Sequence, residues 1–346
     1  MPKVMVAMSG GVDSSVAAVL LKAENSVIGG TLRLFYNGEG IPKEVELAKK
    51  VCDMLSIEHF TFDKRELFEK KVIDRFADDY NNGLTPNPCV ECNKHIKFGA
   101  LLEEALKLGA DYIATGHYSR IVHDGDISLI SRPEDIKKDQ TYVLWRLSQN
   151  QLKHILMPLG EYSKLEVREI AEEYNFPSAK AKESQDICFV PDGDYAKFLK
   201  EYCGVNFKKG EYVDINGKLL GEHSGHQNYT IGQRKGLGIA LGKPQFVISK
   251  DPATNRVVLS DEEYLFSRRI YLREVNFMSG KIPEKPFLCT AKLRYSAKDT
   301  PCRVEVLGND TAVIEFENPQ RAATFGQSAV FYDGEFLLGG GIISKE

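Results

Sequence analysis

The sequence predicts an α/β domain with a parallel sheet, followed by a small middle β domain and a C-terminal β-barrel. Two features of the chain predict this. As far as about residue 200, short apolar runs alternate with longer amphipathic runs, which is the pattern of strand and helix units in a parallel sheet. Beyond about residue 204 the apolar period becomes two, which is typical of antiparallel strands. We expect domains at 1–203, 204–267 and 268–346.

Length, charge and cysteine use limit the functional classes. The chain has 346 residues, which suits two or three domains. Its net charge of −4 argues against a protein that coats nucleic acid without specificity, because such binding rests on summed Lys and Arg. The seven cysteines are an odd number in a chain without a secretion signal, so no disulfide scaffold is expected. No apolar stretch is long enough to span a membrane, and we expect a cytoplasmic protein.

The first domain divides into elements by its periodicity. Strands are predicted at 4–8, 27–34 and 113–115, and helices at 14–22, 45–55, 93–108 and 164–174. The last of these helices begins with Ser163 and Glu166 at the spacing of a capping box. In sheets of this kind ligands bind at the carboxyl ends of the strands, so the loops after the strands are the expected place for a site.

Short alternating segments make up the rest of the chain. Asn216-Gly217 predicts a tight hairpin turn between 211–215 and 218–220. The connection between the middle domain and the barrel is expected near 266–270. Further strands are expected at 246–249, 256–260, 289–295, 303–307, 312–316 and 329–332.

A glycine-rich loop follows the first predicted strand directly and opens the first helix. It reads SGGVDSS over residues 9–15. Its two glycines let the backbone approach a phosphate, and the N–H groups and dipole of a helix start favour an anion. There is no GKS/T, so this is not the usual lysine-containing ATPase loop. The loop resembles the pyrophosphatase loop (PP-loop) of the ATP-pyrophosphatase superfamily, whose Rossmann-like domain splits ATP between the α and β phosphates and activates a carbonyl oxygen as an adenylate.

The resemblance to this superfamily implies an ATP site and assigns its residues. The adenine would lie at the end of the second strand beside Leu32, where the superfamily usually has methionine. Asp13 is expected to orient Mg²⁺ bound to pyrophosphate, and a simple helix cap is the alternative for it. A glycine-rich turn without any ligand is the alternative for the whole loop. The residues expected to contact ATP are Ala7, Met8, Ser9, Gly10, Gly11, Val12, Asp13, Ser14, Leu32 and Gly116.

Two cysteine-containing segments carry the second chemical signal. Residues 85–94 read TPNPCVECNK and lead into the helix predicted at 93–108. A thiol near a helix start and beside Lys94 is expected to have a lowered pKa and to be nucleophilic, which singles out Cys92. Residues 183–189, ESQDICF, place Cys188 in a polar loop far along the chain.

Five motifs together resemble the family of bacterial tRNA-specific 2-thiouridylases. They are TPNPxxxCNKxIKF at 85–98, GHY at 116–118, KDQTY at 138–142, ICF at 187–189 and YTIGQRKGLG at 229–238. The resemblance covers almost the full chain and implies a tRNA sulfurtransferase that uses ATP. It implies that Cys92 is the nucleophile and that Cys188 carries a persulfide. It also implies that these two cysteines close a disulfide, which must be reduced before the next turnover.

The family resemblance also implies the substrate and the partners. The substrate is the wobble uridine of tRNAs for Lys, Glu and Gln, which is flipped out of the stack, adenylated and thiolated at C2. ATP and Mg²⁺ are the expected cofactors. A cysteine desulfurase or sulfur-relay protein is the expected sulfur donor, and a monomer is the expected state. The residues expected to contact tRNA are Asn87, Pro88, Cys89, His117, Lys138, Asp139, Gln140, Arg294, Tyr295 and Gln327.

Cys89 is a departure from the family, many members of which have aspartate at this position. With Cys92 and Cys188 it provides three thiolates, which is enough to hold a four-iron cluster with one iron open to sulfide. The iron–sulfur route and the persulfide and disulfide route both stay open, and Cys89 as a plain neighbour of the base is a third interpretation. A zinc site is disfavoured because no second Cys or His pair has suitable spacing.

Two rival functions share parts of the pattern. A ligase of the same superfamily would keep the ATP loop and would need neither Cys92 nor Cys188. A tRNA-binding β protein with a vestigial nucleotide domain would bind tRNA without releasing pyrophosphate from ATP. Alanine at each of the two cysteines and a pyrophosphate assay separate these functions from thiolation.

Overall fold

Strands and helices alternate through the first domain of the computed structural model, which describes residues 1–35, 41–181, 187–190 and 192–346. The first elements in chain order are β1 (Lys3–Ala7), α1 (Val12–Lys22), β2 (Ser26–Arg33), α2 (Lys43–Met54) and β3 (His59–Asp63). Alternate residues of β1 face opposite sides of the sheet. Val4 and Val6 pack with Val16 of α1, and Met5 packs with Phe98 on the other side. Both faces of the sheet are therefore covered by helices, as a parallel sheet requires.

One long helical region carries the segment predicted as a helix at 93–108. In chain order the next elements are α3 (Arg65–Phe68), a π-helical segment (Glu69–Ile73), α4 (Asp74–Asn81), α5 (Pro88–Glu91), a second π-helical segment (Cys92–Leu101), α6 (Leu102–Lys107) and β4 (Tyr112–Ala114). The helix begins earlier than predicted because Pro88 occupies its first turn and the Asn87 side chain accepts a hydrogen bond from the Cys89 N–H at 3.2 Å. It runs on without a break to Lys107.

Five parallel strands complete the first sheet. The following elements are β5 (Arg120–Asp124), β6 (Ile127–Ser131), α7 (Gln149–Leu152), β7 (Ile155–Leu156), α8 (Lys164–Glu173) and α9 (Tyr195–Glu201). The order in the sheet is β3-β2-β1-β4-β7, which is a doubly wound, Rossmann-like arrangement. The capping box of α8 is confirmed, since the Ser163 N–H donates to Glu166 Oε2 at 2.7 Å. Among the described residues, no helix is both long and apolar enough to cross a bilayer.

A four-stranded sheet forms the middle domain. Its strands are β8 (Gly210–Val213), β9 (Leu219–His223), β10 (Phe246–Asp251) and β11 (Arg256–Ser260), in the order β10-β11-β8-β9. The tight hairpin turn predicted at Asn216-Gly217 is confirmed, since β8 and β9 pair antiparallel on either side of it and Gly217 has a positive φ of 81°. The loop spans 214–218, and the Asp214 carboxylate accepts hydrogen bonds from the N–H groups of Asn216 and Lys218. This Asx-type bonding replaces the primed turn that the dipeptide favours.

The C-terminal domain is a closed six-stranded β-barrel. Its strands are β12 (Phe266–Phe277), β13 (Phe287–Lys292), β14 (Thr300–Val306), β15 (Ala312–Arg321), β16 (Ser328–Asp333) and β17 (Phe336–Ser344). The pairings β12-β15-β14-β13-β16-β17-β12 close the ring. The segment near 266–270, expected to be a connection, is the start of β12. The sequence did not predict β17 because three consecutive glycines, 339–341, interrupt its apolar pattern.

The barrel is fixed to the first domain by a shared core. The β5-β6 hairpin, which the periodicity did not predict, pairs with β17 and so extends the barrel sheet into the first domain. Trp145 and Tyr142 are fully buried between the two domains. The indole N–H of Trp145 donates to Ser328 Oγ at 3.0 Å, and the Tyr142 hydroxyl donates to the Ser328 carbonyl at 2.7 Å. Strand β16 therefore lies against the segment 142–145 of the first domain. The short 3₁₀ turns lie at Ile136–Lys138, Thr141–Val143, Pro158–Glu161, His226–Asn228 and Glu262–Leu265.

Candidate active site

The glycine-rich loop leaves the start of α1 open. Gly11 precedes the first helical residue and no side chain caps it. Gly10 has a φ of 74°, and a Cβ built on it would lie 2.5 Å from Leu47 Cβ, so only glycine fits there. The Ser9 and Ser14 hydroxyl oxygens lie 3.2 Å apart beside these N–H groups. A helix start with free N–H groups and two hydroxyls is suited to a phosphate group.

The strand ends beside the loop carry the residues expected near the adenine. Ala7 ends β1, and the Met8 N–H donates to the Gly30 carbonyl at 2.8 Å. Leu32 lies near the carboxyl end of β2, is partly buried, and packs on two apolar clusters, one of which contains Cys92. The structure therefore places the loop, Leu32 and the cysteine helix at one edge of the sheet.

A lysine that no motif predicts lies beside Asp13. Lys164 Nζ is 2.5 Å from Asp13 Oδ1, and the Tyr118 hydroxyl donates to the same oxygen at 2.9 Å. Lys164 is the first residue of α8, so its place near the loop depends on tertiary packing that its sequence position does not reveal. Gly116 packs on the start of α1, where a Cβ would lie 2.9 Å from the Ser14 nitrogen. These contacts surround the loop with one cation and several N–H groups.

Two cysteines lie on one face of the helix that starts at Pro88. Cys89 and Cys92 are three residues apart, which places them on the same side. Phe189 is buried in the apolar cluster that contains Cys92, and its ring centroid lies 5.4 Å from that of Phe76. This packing brings the preceding residue, Cys188, to the same region. All seven cysteines are free thiols in the structure.

The predicted low pKa of Cys92 is wrong. Burial raises the pKa of this thiol to about 12, while Lys97 lowers it and Cys188 and Cys89 raise it further. Cys92 is the fifth residue from the helix start, so it is not at the N-terminal N–H groups. Lys94 is not among the groups that shift this pKa, and the charges that act on Lys94 are those of Arg146, Glu91, Glu274 and Arg75.

The other two thiols reach solvent but still have raised pKa values. Cys89 and Cys188 are both exposed. The surrounding protein desolvates each thiol and raises its pKa, and Lys97 acts in the opposite direction on both. Among the described residues, no group of three or more His, Cys, Asp or Glu side chains is arranged to hold a metal ion. The three thiols are therefore neighbours without forming a ligand set.

His117 and Asp139, which were expected to contact tRNA, are buried in the first domain. His117 is 8% exposed, its Nδ1 is 2.7 Å from Thr115 Oγ1, and burial together with Lys97 holds its pKa well below the usual range. Asp139 is buried, and its Oδ1 accepts hydrogen bonds from the Thr141 N–H and hydroxyl. Gln140 and Lys138 are half-buried, and Gln140 Oε1 accepts a hydrogen bond from the Tyr118 N–H at 2.9 Å.

Two barrel residues meet the proline-rich turn at 85–88. Gln327 Nε2 donates to the Thr85 carbonyl at 2.8 Å, so the barrel holds this turn directly. Tyr295 is 47% exposed, and burial, Asp139 and Cys89 together raise its pKa, which places its hydroxyl near Cys89. Arg294 has a different position. Its Nη2 donates to the Ala322 carbonyl and to Thr324 Oγ1, both at 2.8 Å. These hydrogen bonds hold the side chain within the barrel domain.

An ion-pair network behind Cys92 was not predicted. Glu91 is 6% exposed and binds Arg146 and Arg75. Both arginines also bind Glu274 of β12, at 2.8 and 2.9 Å. Burial would raise the pKa of Glu91, but His95, Arg146 and Arg75 outweigh it and lower this pKa. The four residues lie far apart in the sequence, so no spacing signals them.

Three family models match successive parts of the chain. They are the tRNA methyl transferase HUP domain over residues 2–192, the tRNA methyl transferase PRC-barrel domain over 196–261 and the aminomethyltransferase β-barrel domain over 267–343. Three proteins named tRNA-specific 2-thiouridylase MnmA are close relatives over 99% of this chain. They come from Carboxydothermus hydrogenoformans (50% identity, 98% of the relative covered), Clostridium tetani (50%, 97%) and Clostridioides difficile (47%, 98%).

Proposed function

The chain belongs to the family of tRNA-specific 2-thiouridylases, and on that premise we propose that it forms 2-thiouridine in tRNA with the use of ATP. One observation carries the proposal. Cys92 and Cys188 lie within electrostatic reach of each other, at the sheet edge where the open start of α1 also lies. Gly116 packs on that helix start, and the adjoining His117 ring lies 5.7 Å from Phe98 of the cysteine helix. We infer that phosphate binding and sulfur chemistry take place side by side at this edge of the sheet.

The first step activates the uridine. Its O2 attacks the α-phosphate of ATP, the bond between the α and β phosphates breaks, and pyrophosphate leaves toward the loop at 9–14. The free N–H groups of α1 and the hydroxyls of Ser9 and Ser14 hold the departing charge. Lys164 adds a cation at the same place. AMP remains on the base as a good leaving group.

The second step delivers sulfur. Cys188 is exposed and accepts a sulfane sulfur from a cysteine desulfurase or relay protein. In one sequence, the Cys92 thiolate attacks Sγ of the Cys188 persulfide, hydrosulfide leaves, and hydrosulfide displaces AMP at C2. In the other, the terminal persulfide sulfur attacks C2 first and Cys92 then releases the product. Both sequences end with a disulfide between Cys92 and Cys188, which a dithiol must reduce.

The described residues offer a ligand for Mg²⁺ but no ligand set for an iron–sulfur cluster. Asp13 has Oδ1 engaged by Lys164 and Tyr118, so Oδ2 is the atom that can meet Mg²⁺. Mg²⁺ is often bound by one carboxylate and substrate phosphates, and it would neutralise the leaving pyrophosphate. The thiols of Cys89, Cys92 and Cys188 do not form a metal ligand set. We therefore route no step through a cluster and infer that Cys89 lines the base.

The tRNA is bound through the proline-rich turn and the barrel. We propose that the wobble uridine of tRNAs for Lys, Glu and Gln flips into the space beside Asn87, Pro88 and Cys89. The contact of Gln327 with Thr85 supports this, because it fixes the turn from the barrel side. Unstacking the base costs a few kcal/mol, which contacts to the anticodon backbone offset. Such a reaction takes place where tRNA and ATP are present, in the cytoplasm.

The test is thiolation of unmodified tRNA with ATP and a persulfide donor. Product is read as 2-thiouridine by mass spectrometry, and pyrophosphate release is measured in parallel. We expect Cys92→Ala and Cys188→Ala to abolish thiolation while pyrophosphate release continues. Cys203→Ala is the matched control, since Cys203 is half-buried against the same apolar cluster. Full thiolation by both variants would overturn the roles of the two cysteines. Pyrophosphate release without any 2-thiouridine from the wild type would favour a ligase, and tRNA binding without pyrophosphate release would favour a binding protein.

A separate measurement decides between the two sulfur routes. Wild-type protein and Cys89→Ala are purified without oxygen, and their iron and sulfide contents and visible absorption are compared. We expect metal-free protein to thiolate tRNA and Cys89→Ala to keep part of this activity. A cluster that is lost with Cys89 and is required for thiolation would refute the persulfide route.

A further inference from the structure

Lys97 is a cation that lies among the three thiols and has no part in the proposed contacts with ATP or tRNA. It lies in the π-helical segment Cys92–Leu101 and is half-buried. No described residue forms an ion pair with it, although Lys94 on the same segment is influenced by Glu91 and Glu274. A half-buried ammonium without a carboxylate is costly unless something else needs its charge.

The winding of the helix explains the position of Lys97. In an α-helix with 3.6 residues per turn, Lys97 would lie about 140° around the axis from Cys92, on the opposite side. In a π-helix the hydrogen bonds run from residue i to residue i+5, so residues five apart lie on the same face. The π-helical segment begins at Cys92 and includes Lys97. The unusual winding thus brings the ammonium to the thiol face.

The groups around Lys97 come from three parts of the chain. Cys89 and Cys92 lie on the same helix, Cys188 comes from the segment at 187–190, and His117 follows β4. Lys97 lowers the pKa of all three thiols and of His117. Tyr295 faces Cys89 from the barrel. Among the described residues no carboxylate acts on the three thiols, and Lys97 is the cation that acts on all of them.

We propose that Lys97 is the residue that stabilises the Cys92 thiolate during sulfur transfer, and that the π-helical winding exists to place it there. The inference rests on the proposed function. The Cys92 proton leaves to the solvent that reaches Cys89 and Cys188. The thiolate then attacks Sγ of the Cys188 persulfide. A bond forms between the two cysteine sulfurs, the bond to the terminal sulfur breaks, and that sulfur leaves as hydrosulfide.

The test measures thiol reactivity in the absence of ATP and tRNA. Full-length protein is alkylated with iodoacetamide over a range of pH, and mass spectrometry follows each cysteine separately. Opposite charges at close range typically shift a pKa by about 1 to 3 units. We expect Lys97→Met to move the Cys92 profile up by at least about one unit, so that alkylation below the midpoint falls about tenfold. Lys97→Arg should restore most of the reactivity.

Lys94→Met is the matched control, because it removes a cation from the same π-helical segment. We expect its Cys92 profile to equal that of the wild type. In the thiolation assay Lys97→Met should lose about tenfold in rate at neutral pH and recover at higher pH. If Lys97→Met does not fold, as circular dichroism would show, Lys97→Gln takes its place.

The outcomes separate the two proposals. An unchanged Cys92 profile in the Met or Gln variant overturns the role of Lys97, even if thiolation is lost, because the lysine then acts on substrate. A shifted profile in a protein whose wild type does not thiolate tRNA would overturn the proposed function and leave the role of Lys97 in place.

Discussion

Replacing Glu91 by Gln should destabilise the contact between the first domain and the barrel. The glutamate is 6% exposed and its partner Arg146 is also buried. Removing one member of a buried ion pair costs about 3–5 kcal/mol, because the other charge stays buried without a partner. Arg75 and Glu274 are more exposed, at 29% and 27% of their side-chain areas, and their solvation makes the loss of stability smaller. We therefore expect about 3 kcal/mol, at the lower end of this range.

The only tryptophan of the chain is a direct probe of this contact. Trp145 adjoins Arg146 in sequence and is fully buried between the two domains. Its fluorescence should shift to longer wavelength when the contact opens. With a slope of about 3 kcal/mol per M, the loss corresponds to a urea midpoint lower by about 1 M. Because the protein has several domains, the midpoint describes this local transition and not global unfolding.

The control is an exposed ion pair of the middle domain. Glu211 and Arg256 are each 47% exposed, and Glu211→Gln should change the stability by less than about 0.5 kcal/mol, which is a midpoint shift below about 0.2 M at the same slope. The double variant Glu91→Gln with Arg146→Met should lose less than the sum of the single variants. Equal midpoints for Glu91→Gln and Glu211→Gln would refute the reasoning.

The effect of Glu91→Gln should also depend on pH. The folded protein holds the pKa of Glu91 below its ordinary value of 4.5. A carboxylate with a depressed pKa contributes stability above its unfolded pKa, and this contribution is lost as the pH falls through the folded pKa. The difference between wild type and variant should thus be full at neutral pH and shrink in acid. A difference that stays constant down to acid pH would contradict the ion pair as its cause.

Three further variants test other parts of the structure. Burial raises the pKa of Asp79 from its ordinary 3.8 to about 6, so its charge costs stability that grows between these two values and is complete above pH 6. Asp79→Asn should therefore raise the urea midpoint of Trp fluorescence at pH 8 and change it much less at pH 4, and an equal gain at both pH values would contradict this cause. Gln327→Ala removes the hydrogen bond to Thr85 and should raise the KM for tRNA about fivefold with little change in the KM for ATP, as steady-state thiolation would show. Lys164→Met removes the cation beside Asp13 and should raise the KM for ATP about tenfold in the pyrophosphate assay, whereas an unchanged KM would remove Lys164 from the phosphate site.

The sequence predicted the strand, the glycine-rich turn and the helix of the loop at 9–15 because these features are local. A strand, two glycines and a helix start follow one another without interruption, and the structure has β1, the turn and α1 in this order. The alternation of strands and helices likewise gave the parallel sheet. The sequence did not predict the role of Lys164. This residue contacts Asp13 only because α8 packs against α1, and no local sequence pattern indicates that contact.

The errors have two physical causes. Strand β17 was missed because Gly339, Gly340 and Gly341 lack the side chains on which strand patterns depend, whereas the structure uses their small size. A Cβ on Gly340 would lie 2.9 Å from the Trp145 ring. The pKa of Cys92 was predicted from the helix start and Lys94, and both arguments assumed regular α-helical winding. Burial outweighs the helix dipole when a thiol lies more than one turn inside the helix.

The unequal exposure of the two cysteines fits their proposed roles better than a low pKa at Cys92 would. Cys188 reaches solvent and can meet a donor protein, whereas Cys92 is 8% exposed and its pKa is raised to about 12. A permanent thiolate at Cys92 would react with oxidants between turnovers, since thiolates and not thiols are the nucleophiles. A buried thiol next to Lys97 stays protonated at rest. It reacts only with the persulfide on Cys188. We infer that burial protects the thiol from oxidants between turnovers, and that Lys97 stabilises the thiolate when it attacks the persulfide.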